Sequence, residues 1–357
     1  MRRAVEEALA LPGYRGVLAY ALPEALWWVG LGQEDVLVAY PSVDEDALAR
    51  WVVDPAARAA VTVAVDSLDH LALIEAVARR AGVPLDDDAG RLPLRVCLDV
   101  DAAWEPHRLL RVGALRSPVR TPEQAAAMAR RITRTPGLRL AGVLAYEGQV
   151  AGVPEGSGPR SALVRGVKRA SMRELAARRP AIVAAVRAVA RKAGADLEFV
   201  NGGGTGSADL TAQDPSVTEI GAGSGLMGPA SFDGFRGLDL RPASFFTRPV
   251  VRRPRPGVVT VAGGGWVASG MPGADRLPVV AWPEGLRYSA QEAAGEVQTP
   301  LRGAAADRLS LGDPVVFRHA KAGEPAEHLA AVAVYAAEQD AIVDLWPTYR
   351  GEGRVFG

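Results

Sequence analysis

The strongest constraint in this sequence is an alternation repeated across its first two thirds: short apolar runs, then longer amphipathic stretches. Runs that are apolar on both faces read as strands buried beneath helices. Seven qualify, at 16–21, 35–41, 61–67, 94–100, 140–146, 197–201 and 218–221. Between them lie helical patterns with start signals. Pro23 and Glu24 open 23–29, Ser67 is placed to cap 69–80, and Pro122 sits at the first turn of 121–134. The segment 170–193 is long enough for two helices, with Pro180 marking a break.

Strand–helix alternation of this kind means a parallel sheet. Eight such units close a barrel. The count here is seven, and the chain opens on a helical pattern at 2–11. The expectation is an α/β fold: a (β/α)8 TIM-type barrel lacking its first strand, that strand lying upstream of Met1. An open doubly wound sheet of seven strands is the competing architecture. Beyond about Gly237 proline and glycine become dense, and strands replace helices at 244–251, 258–262, 314–317, 329–334 and 341–344. The predicted division is a barrel over 1–236 and a C-terminal β domain over 237–357. The run PVVRRPRP at 249–256 reads as a hinge or edge connection.

Charge narrows the partners. The chain carries 41 basic and 41 acidic residues and no block of like charge, so neither a nucleic acid nor a membrane surface is expected. A lone cysteine, Cys97, forbids an internal disulfide and suits a reducing cytoplasm. The N-terminus lacks the pattern of a signal peptide.

The clearest local signal is the run Asn201-Gly202-Gly203-Gly204-Thr205-Gly206-Ser207, directly after a strand. Glycines there permit a tight turn and close approach of backbone amides to an anion. A second loop, Gly221-Ala222-Gly223-Ser224-Gly225, follows the next strand. Two glycine loops on adjacent strand ends are placed to hold one phosphate, a frequent arrangement after strands seven and eight of a barrel. Neither matches a dinucleotide fingerprint or a P-loop.

Four segments resemble one family: GVLAYEGQ (142–149), NGGGTGS (201–207), TEIGAGSGLMGPASFDGF (218–235) and RHAKAGEPAEH (318–328). The chain is similar to the D-threonine aldolase and D-serine dehydratase-like group of alanine-racemase-like enzymes. Within it, the chain looks closest to bacterial proteins called amino acid deaminase/aldolase. The resemblance implies a barrel joined to a β domain, a head-to-tail homodimer, and pyridoxal 5'-phosphate as cofactor. It assigns the phosphate to Gly203, Gly204, Thr205, Gly206, Gly223 and Ser224, and a place near the cofactor ring to Tyr146. Gln149 stands where relatives often carry histidine. Gln149, His319 and His328 are the candidates for substrate contact.

The resemblance also implies a Schiff-base lysine on the first barrel strand, and the chain departs from it there. Only Lys168, Lys192 and Lys321 are present. The first two lie in helical segments and the third in the β domain, so no catalytic residue is assigned. The strand count and the missing lysine point to one gap, and the expectation is a truncated chain, inactive in this form. A lysine-free pseudoenzyme is the alternative. Relatives often bind a divalent metal through a His-x-Asp or His-x-Cys pair, but the matching segment here is Pro347-Thr348-Tyr349-Arg350-Gly351. His319 and His328 flank Glu324 and Glu327, a loose set that surface or interface histidines explain as well. Asp66, Asp99 and Asp101 end strands. Asp66 reads as a helix cap, while the other two stand equally as caps or site residues. His70 and His107 read as solvated, and Trp27 and Trp28 as packing residues.

The leading expectation is a lyase, aldolase or dehydratase, acting on small hydroxy D-amino acids. A non-catalytic cofactor-binding or regulatory protein, an amino acid racemase, and a sugar-phosphate barrel enzyme are the alternatives.

Overall fold

The computed structural model describes residues 1–86, 90–156 and 158–356. The chain divides into two compact units. One comprises 5–153, 159–222 and 356–357; the other comprises 1–4, 154–158 and 223–355.

The first unit is built on a parallel sheet. Helix α1 (Arg2–Leu9) leads into strand β1 (Val17–Ala19), helix α2 (Leu22–Gly30), strand β2 (Val36–Val38), helices α3 (Glu45–Val53) and α4 (Pro55–Ala60), and strand β3 (Val61–Val65). Helix α5 (Leu68–Arg80), strand β4 (Leu94–Asp99), a hairpin of β5 (Trp104–His107) and β6 (Leu110–Val112), and helix α6 (Pro122–Arg134) follow. The unit ends with strand β7 (Leu138–Ala145), helices α7 (Gly148–Ala151) and α8 (Ser161–Lys192), strand β8 (Phe199–Gly202), helix α9 (Ala208–Thr211) and strand β9 (Glu219–Ile220). All seven predicted strands are present, ordered β1-β2-β3-β4-β7-β8-β9, every neighbour parallel. That order runs in chain sequence without reversal. A doubly wound sheet reverses at a switch point, so the open-sheet alternative is overturned in favour of barrel-type winding.

Local chemistry explains the elements. Asp44 caps α3 and Ser67 caps α5, and Thr121 with Gln124 forms a capping box on α6. Inward-facing Leu37, Ala64, Cys97 and Leu144 pack as one cluster with Phe199 against them. Trp28 and Trp51 are fully buried on the helical side. Helix α8 corrects the predicted break: it runs unbroken for 32 residues with Pro180 inside. An interior proline costs about 3 kcal/mol. Burial of Leu175, Ile182, Val183 and Val186 on both sides of it offsets that cost.

The second unit holds an antiparallel sheet. Its strands are β10 (Phe245–Arg255), β11 (Val258–Ala262), β12 (Val279–Trp282), β13 (Arg287–Tyr288), β14 (Gln298–Arg302) and β15 (Pro314–Arg318), in the order β12-β15-β10-β11-β14-β13. Helix α10 (Glu324–His328) precedes a separate hairpin of β16 (Ala331–Ala336) and β17 (Ala341–Pro347). The stretch read as a hinge is strand. β10 pairs with β15 through Pro249 and with β11 from Val250 onward. Pro249, which lacks an amide donor, sits where the strand changes partner. Phe246 anchors the core, its ring 4.2 Å from Trp266 and 5.2 Å from Phe317. Val259, Val261, Leu301 and Val315 close around it. Among the described residues, no helix is long and apolar enough to cross a membrane.

Replacing Phe246 with alanine removes the centre of that cluster. The expected cost is about 3–5 kcal/mol, read as a lower denaturation midpoint and reduced near-ultraviolet circular dichroism.

Candidate functional site at the strand ends

Strand β7 ends at Ala145 and is followed by Tyr146 and Glu147. Glu147 is fully buried, and its carboxylate gathers four donors. Arg179 Nη2 donates to Oε2 at 2.8 Å, and the Gly203 amide donates to the same oxygen at 3.3 Å. Ser207 Oγ donates to Oε1 at 3.0 Å, and Thr211 Oγ1 also donates there. Arg179 reaches Asp214 as well, at 3.4 Å. A buried charge is tolerated only when paired and hydrogen-bonded, and Glu147 satisfies both conditions. The result ties the glycine loop after β8 to the end of β7 and to α8.

The loop itself needs its glycines for shape. Gly203 has φ +73°, and a Cβ there would meet Thr211 and Ile220 at 3.1 Å. A Cβ on Gly204 would meet Ala151 at 3.0 Å and the Tyr146 ring at 3.2 Å. The chain therefore lies flush against Tyr146, joining two of the predicted site residues. The expectation that the Gly203 and Gly204 amides are open to a phosphate is corrected, because both are taken within the protein. Gly203 N donates to Glu147, and Gly204 N donates to Ser207 Oγ at 3.2 Å. Thr205 and Gly206, half-buried on the following turn, are the loop's groups nearer the surface. Gly223 and Ser224 are exposed after β9 and open the second unit.

Tyr146 has a cationic neighbour that sequence patterns do not reveal. The Arg116 guanidinium lies 5.3 Å from the Tyr146 ring centre and 5.2 Å from that of Tyr40. Both are cation–π distances. Burial pushes the Tyr146 phenol up from its ordinary value.

The three strand-end aspartates separate. Asp66 is not the cap of α5, a place taken by Ser67; its carboxylate pairs with His70 at 3.1 Å. Asp101 is structural, bound by Arg111 and Arg120 at 3.0 Å each and by the Ala103 amide. Asp99 is buried, and its pKa is pushed up to about 7, first by burial and then by the Asp66 charge. Arg116 pulls in the opposite direction.

Gln149 is corrected as a substrate contact. Its amide nitrogen donates at 2.8 Å to both Ala102 O and Ser171 Oγ, fastening α7 to α8 inside the protein. His319 is buried, with Nδ1 3.1 Å from Ser244 O. A carbonyl accepts only from N–H, so Nδ1 carries the proton and Nε2 presents a lone pair. Burial lowers the pKa of this histidine, in keeping with the neutral form. His328 stacks on Trp266 at 4.7 Å. Among the described residues, no group of three or more His, Cys, Asp or Glu side chains is placed to hold a metal ion. Thr348, in the segment matched to the metal pair, is buried and donates to Leu329 O at 2.6 Å. Lys168 is buried in α8, Lys192 ends that helix, and Lys321 follows β15; none stands at an end of the parallel sheet.

Two changes test this arrangement. Glu147→Ala leaves Arg179 buried without its closest partner. It should cost about 3–5 kcal/mol in chemical denaturation. Asp99→Asn should alter the pH dependence of stability. The folded pKa lies above the ordinary 3.8, so the native state favours the protonated acid. That contribution is full below about pH 4 and is lost as pH rises through about 7. The unfolding free energy of Asp99→Asn should therefore gain on that of the native chain across that window, by about 1.4 kcal/mol per pKa unit, read as a rising difference between their denaturation midpoints.

No family model matches the chain. It is 28% identical over 258 residues to D-threonine aldolase of Arthrobacter sp, covering 71% of this chain and 59% of that protein. It is 27% identical over 215 residues to 3-hydroxy-D-aspartate aldolase of Paracoccus denitrificans, covering 60% and 47%. The chain thus spans less than two thirds of either curated relative. Its fold matches the crystal structure of D-threonine aldolase from Filomicrobium marinum with a TM-score of 0.73 at 20% identity, over 95% of this chain and 82% of that one. It matches an alanine-racemase-like protein from Idiomarina loihiensis with a TM-score of 0.67 at 14% identity, over 96% and 86%. In sequence the chain is similar to D-threonine aldolase-like proteins, and its fold is that of an alanine-racemase-like barrel with an antiparallel C-terminal sheet.

Proposed function

We propose that this chain is the barrel and β-domain portion of a lyase that uses pyridoxal 5'-phosphate to cleave or dehydrate small hydroxy D-amino acids, working as a cytoplasmic homodimer. The curated relatives, an aldolase of D-threonine and one of 3-hydroxy-D-aspartate, support the reaction class. One observation carries the cofactor: Tyr146 lies directly against Gly204 of the NGGGTGS loop, held there by Glu147. Thr205 and Gly206 are the residues of the barrel unit that would hold the phosphate. The turn made by Gly203 and Gly204 sets the loop's path, and Tyr146 and Arg116 would flank the ring. In this reading 1–236 binds the cofactor and 237–357 forms the β domain.

The bound cofactor supplies an electron sink for charge developing at Cα. The chain's own groups supply the rest. Arg116, always charged, provides a fixed positive field beside Tyr146. Asp99 is able to hold or release a proton near neutrality, as needed to take the proton of a substrate hydroxyl or return it to a leaving oxygen.

The lysines favour a second reading. None of the three lies on a parallel strand or in the loop directly after one, so a chain that binds the cofactor without turning substrate over also fits these residues.

Calorimetric titration with pyridoxal phosphate tests the first step. Thr205→Val should weaken binding at least tenfold and Thr205→Ser should leave it near the native value. No affinity in the native chain, or equal affinity in all three, rejects the assignment. Release of aldehyde from D-threonine or of a keto acid from a hydroxy D-amino acid then separates lyase from binding protein.

A further inference from the structure

Lys321 stands in a turn that the second unit holds in place from several sides. Strand β15 ends at Arg318, whose guanidinium donates to the two oxygens of Asp233 at 2.9 and 2.7 Å and to Gly228 O at 2.7 Å. His319 O and Ala320 O accept from the Ala230 and Ser231 amides. The Lys321 amide donates to Glu324 Oε2 at 3.2 Å. From this pinned backbone the Lys321 side chain emerges half-buried. Its ammonium makes no hydrogen bond or ion pair with a described residue. Arg276 is the cation within electrostatic reach of it. Arg276 O accepts the Ala268 amide at 2.8 Å, and its Nε is buried without a hydrogen-bond partner. Burial, and then the Arg276 charge, lower the Lys321 pKa from its ordinary value, while Glu324 and Asp275 pull the other way. A lowered pKa leaves more free amine near neutrality, and the free amine is the nucleophile. The other lysines lack this combination: Lys168 is buried and partnered, and Lys192 is exposed at the end of α8.

We propose that Lys321 is a nucleophilic amine of the second unit, placed to form an imine with a small aldehyde whose carboxylate Arg276 receives. The amine lone pair attacks the carbonyl carbon, and the π pair of the C=O bond moves to oxygen. Nitrogen gives up both its protons, which leave with that oxygen as water, and a C=N bond remains. No oxidant or reductant enters. Glu324 is the acid of the same turn. It is buried, and burial raises its pKa, so it keeps a proton for the departing hydroxyl to a higher pH than an ordinary carboxylate does. Arg276 brings a planar fork of donors that matches a carboxylate, and its charge does not titrate. The step uses residues of the second unit alone and does not rest on the cofactor reading.

The test exposes the full chain, with no cofactor added, to glyoxylate or to acetaldehyde as the uncharged probe. Cyanoborohydride traps the imines, and peptide mass spectrometry separates adducts on each lysine from those on the N-terminal amine. Near neutrality glyoxylate should label Lys321 at least tenfold faster than Lys192, an advantage that narrows as pH rises towards the range of an ordinary lysine. Measured against Lys192, acetaldehyde should show a several-fold smaller preference for Lys321. Lys321→Arg should abolish the selective adduct and Lys192→Arg should retain it, both with native circular dichroism. Arg276→Gln should remove the extra preference for glyoxylate. Equal labelling of Lys321 and Lys192, or a native chain that treats the two aldehydes alike, overturns the proposal without recourse to a variant. A glyoxylate preference unmoved in a folded Arg276→Gln chain overturns it as well. Pyridoxal phosphate titration of separate samples keeps the two ideas apart. Cofactor binding without a selective adduct sinks this inference alone, and a selective adduct without cofactor binding sinks the cofactor reading alone.

Discussion

The buried pair between Glu147 and Arg179 is the constraint on which the strand-end site depends. Neither charge survives alone in the interior, because desolvation of an unpaired ion costs several kcal/mol. Arg179 Nη2 donates to Glu147, Asp214 sets a second carboxylate 3.4 Å from Arg179, and the remaining acceptor capacity of Glu147 is filled by the Gly203 amide, Ser207 and Thr211. Every donor comes from the loop after β8, from α9 or from α8. A single carboxylate at the end of β7 therefore fixes where the next loop runs. The path of that loop then decides that Tyr146 meets backbone and not a side chain, since Gly204 has no Cβ to hold it away.

Much of the scaffold was legible because burial writes periodicity into sequence. The parallel strands read as apolar runs, and β2, β3, β4 and β7 do so because most residues on both faces are buried. Helix starts were visible where a side chain caps them, as at Ser67 and Thr121. Legibility failed where long-range packing overrides local preference. Pro180 marks a break by local rules, yet helix α8 passes through it because both flanks bury apolar residues. Pro249 marks a hinge by the same rules, yet a strand that changes partner needs no donor at that position.

The site divides in a similar way. The glycine run and Tyr146 were visible as motifs, and the fold brings them into contact. Glu147 carried a faint signal, an acid two positions past an eight-residue strand of nearly unbroken apolar character. Arg179 and Arg116 carried none. An arginine in a helix or loop looks solvated unless its partner is known, and these partners lie 32 and 30 residues away in Glu147 and Tyr146. Gln149 misled for the opposite reason. Its match to a position where relatives often carry histidine suggested a site residue, but a short helix turns its amide inward onto Ala102 and Ser171.

The composition of this site also limits its chemistry. The cation against Tyr146 is arginine, which does not lose its proton in a protein and so acts as a fixed charge. Tyr146 moves the wrong way to exchange protons near neutrality, because burial raises its pKa from an already high value. Asp101 is held by two arginines as a structural clamp. Asp99 is different. Burial and Asp66 push its pKa upward, Arg116 draws it back, and the balance falls at about 7. Its protonation is set by residues on three separate strand ends or loops, so it reports the assembly of the site and not a local sequence preference. A carboxyl group poised between a buried environment and a fixed guanidinium is able to hold or release a proton near neutrality.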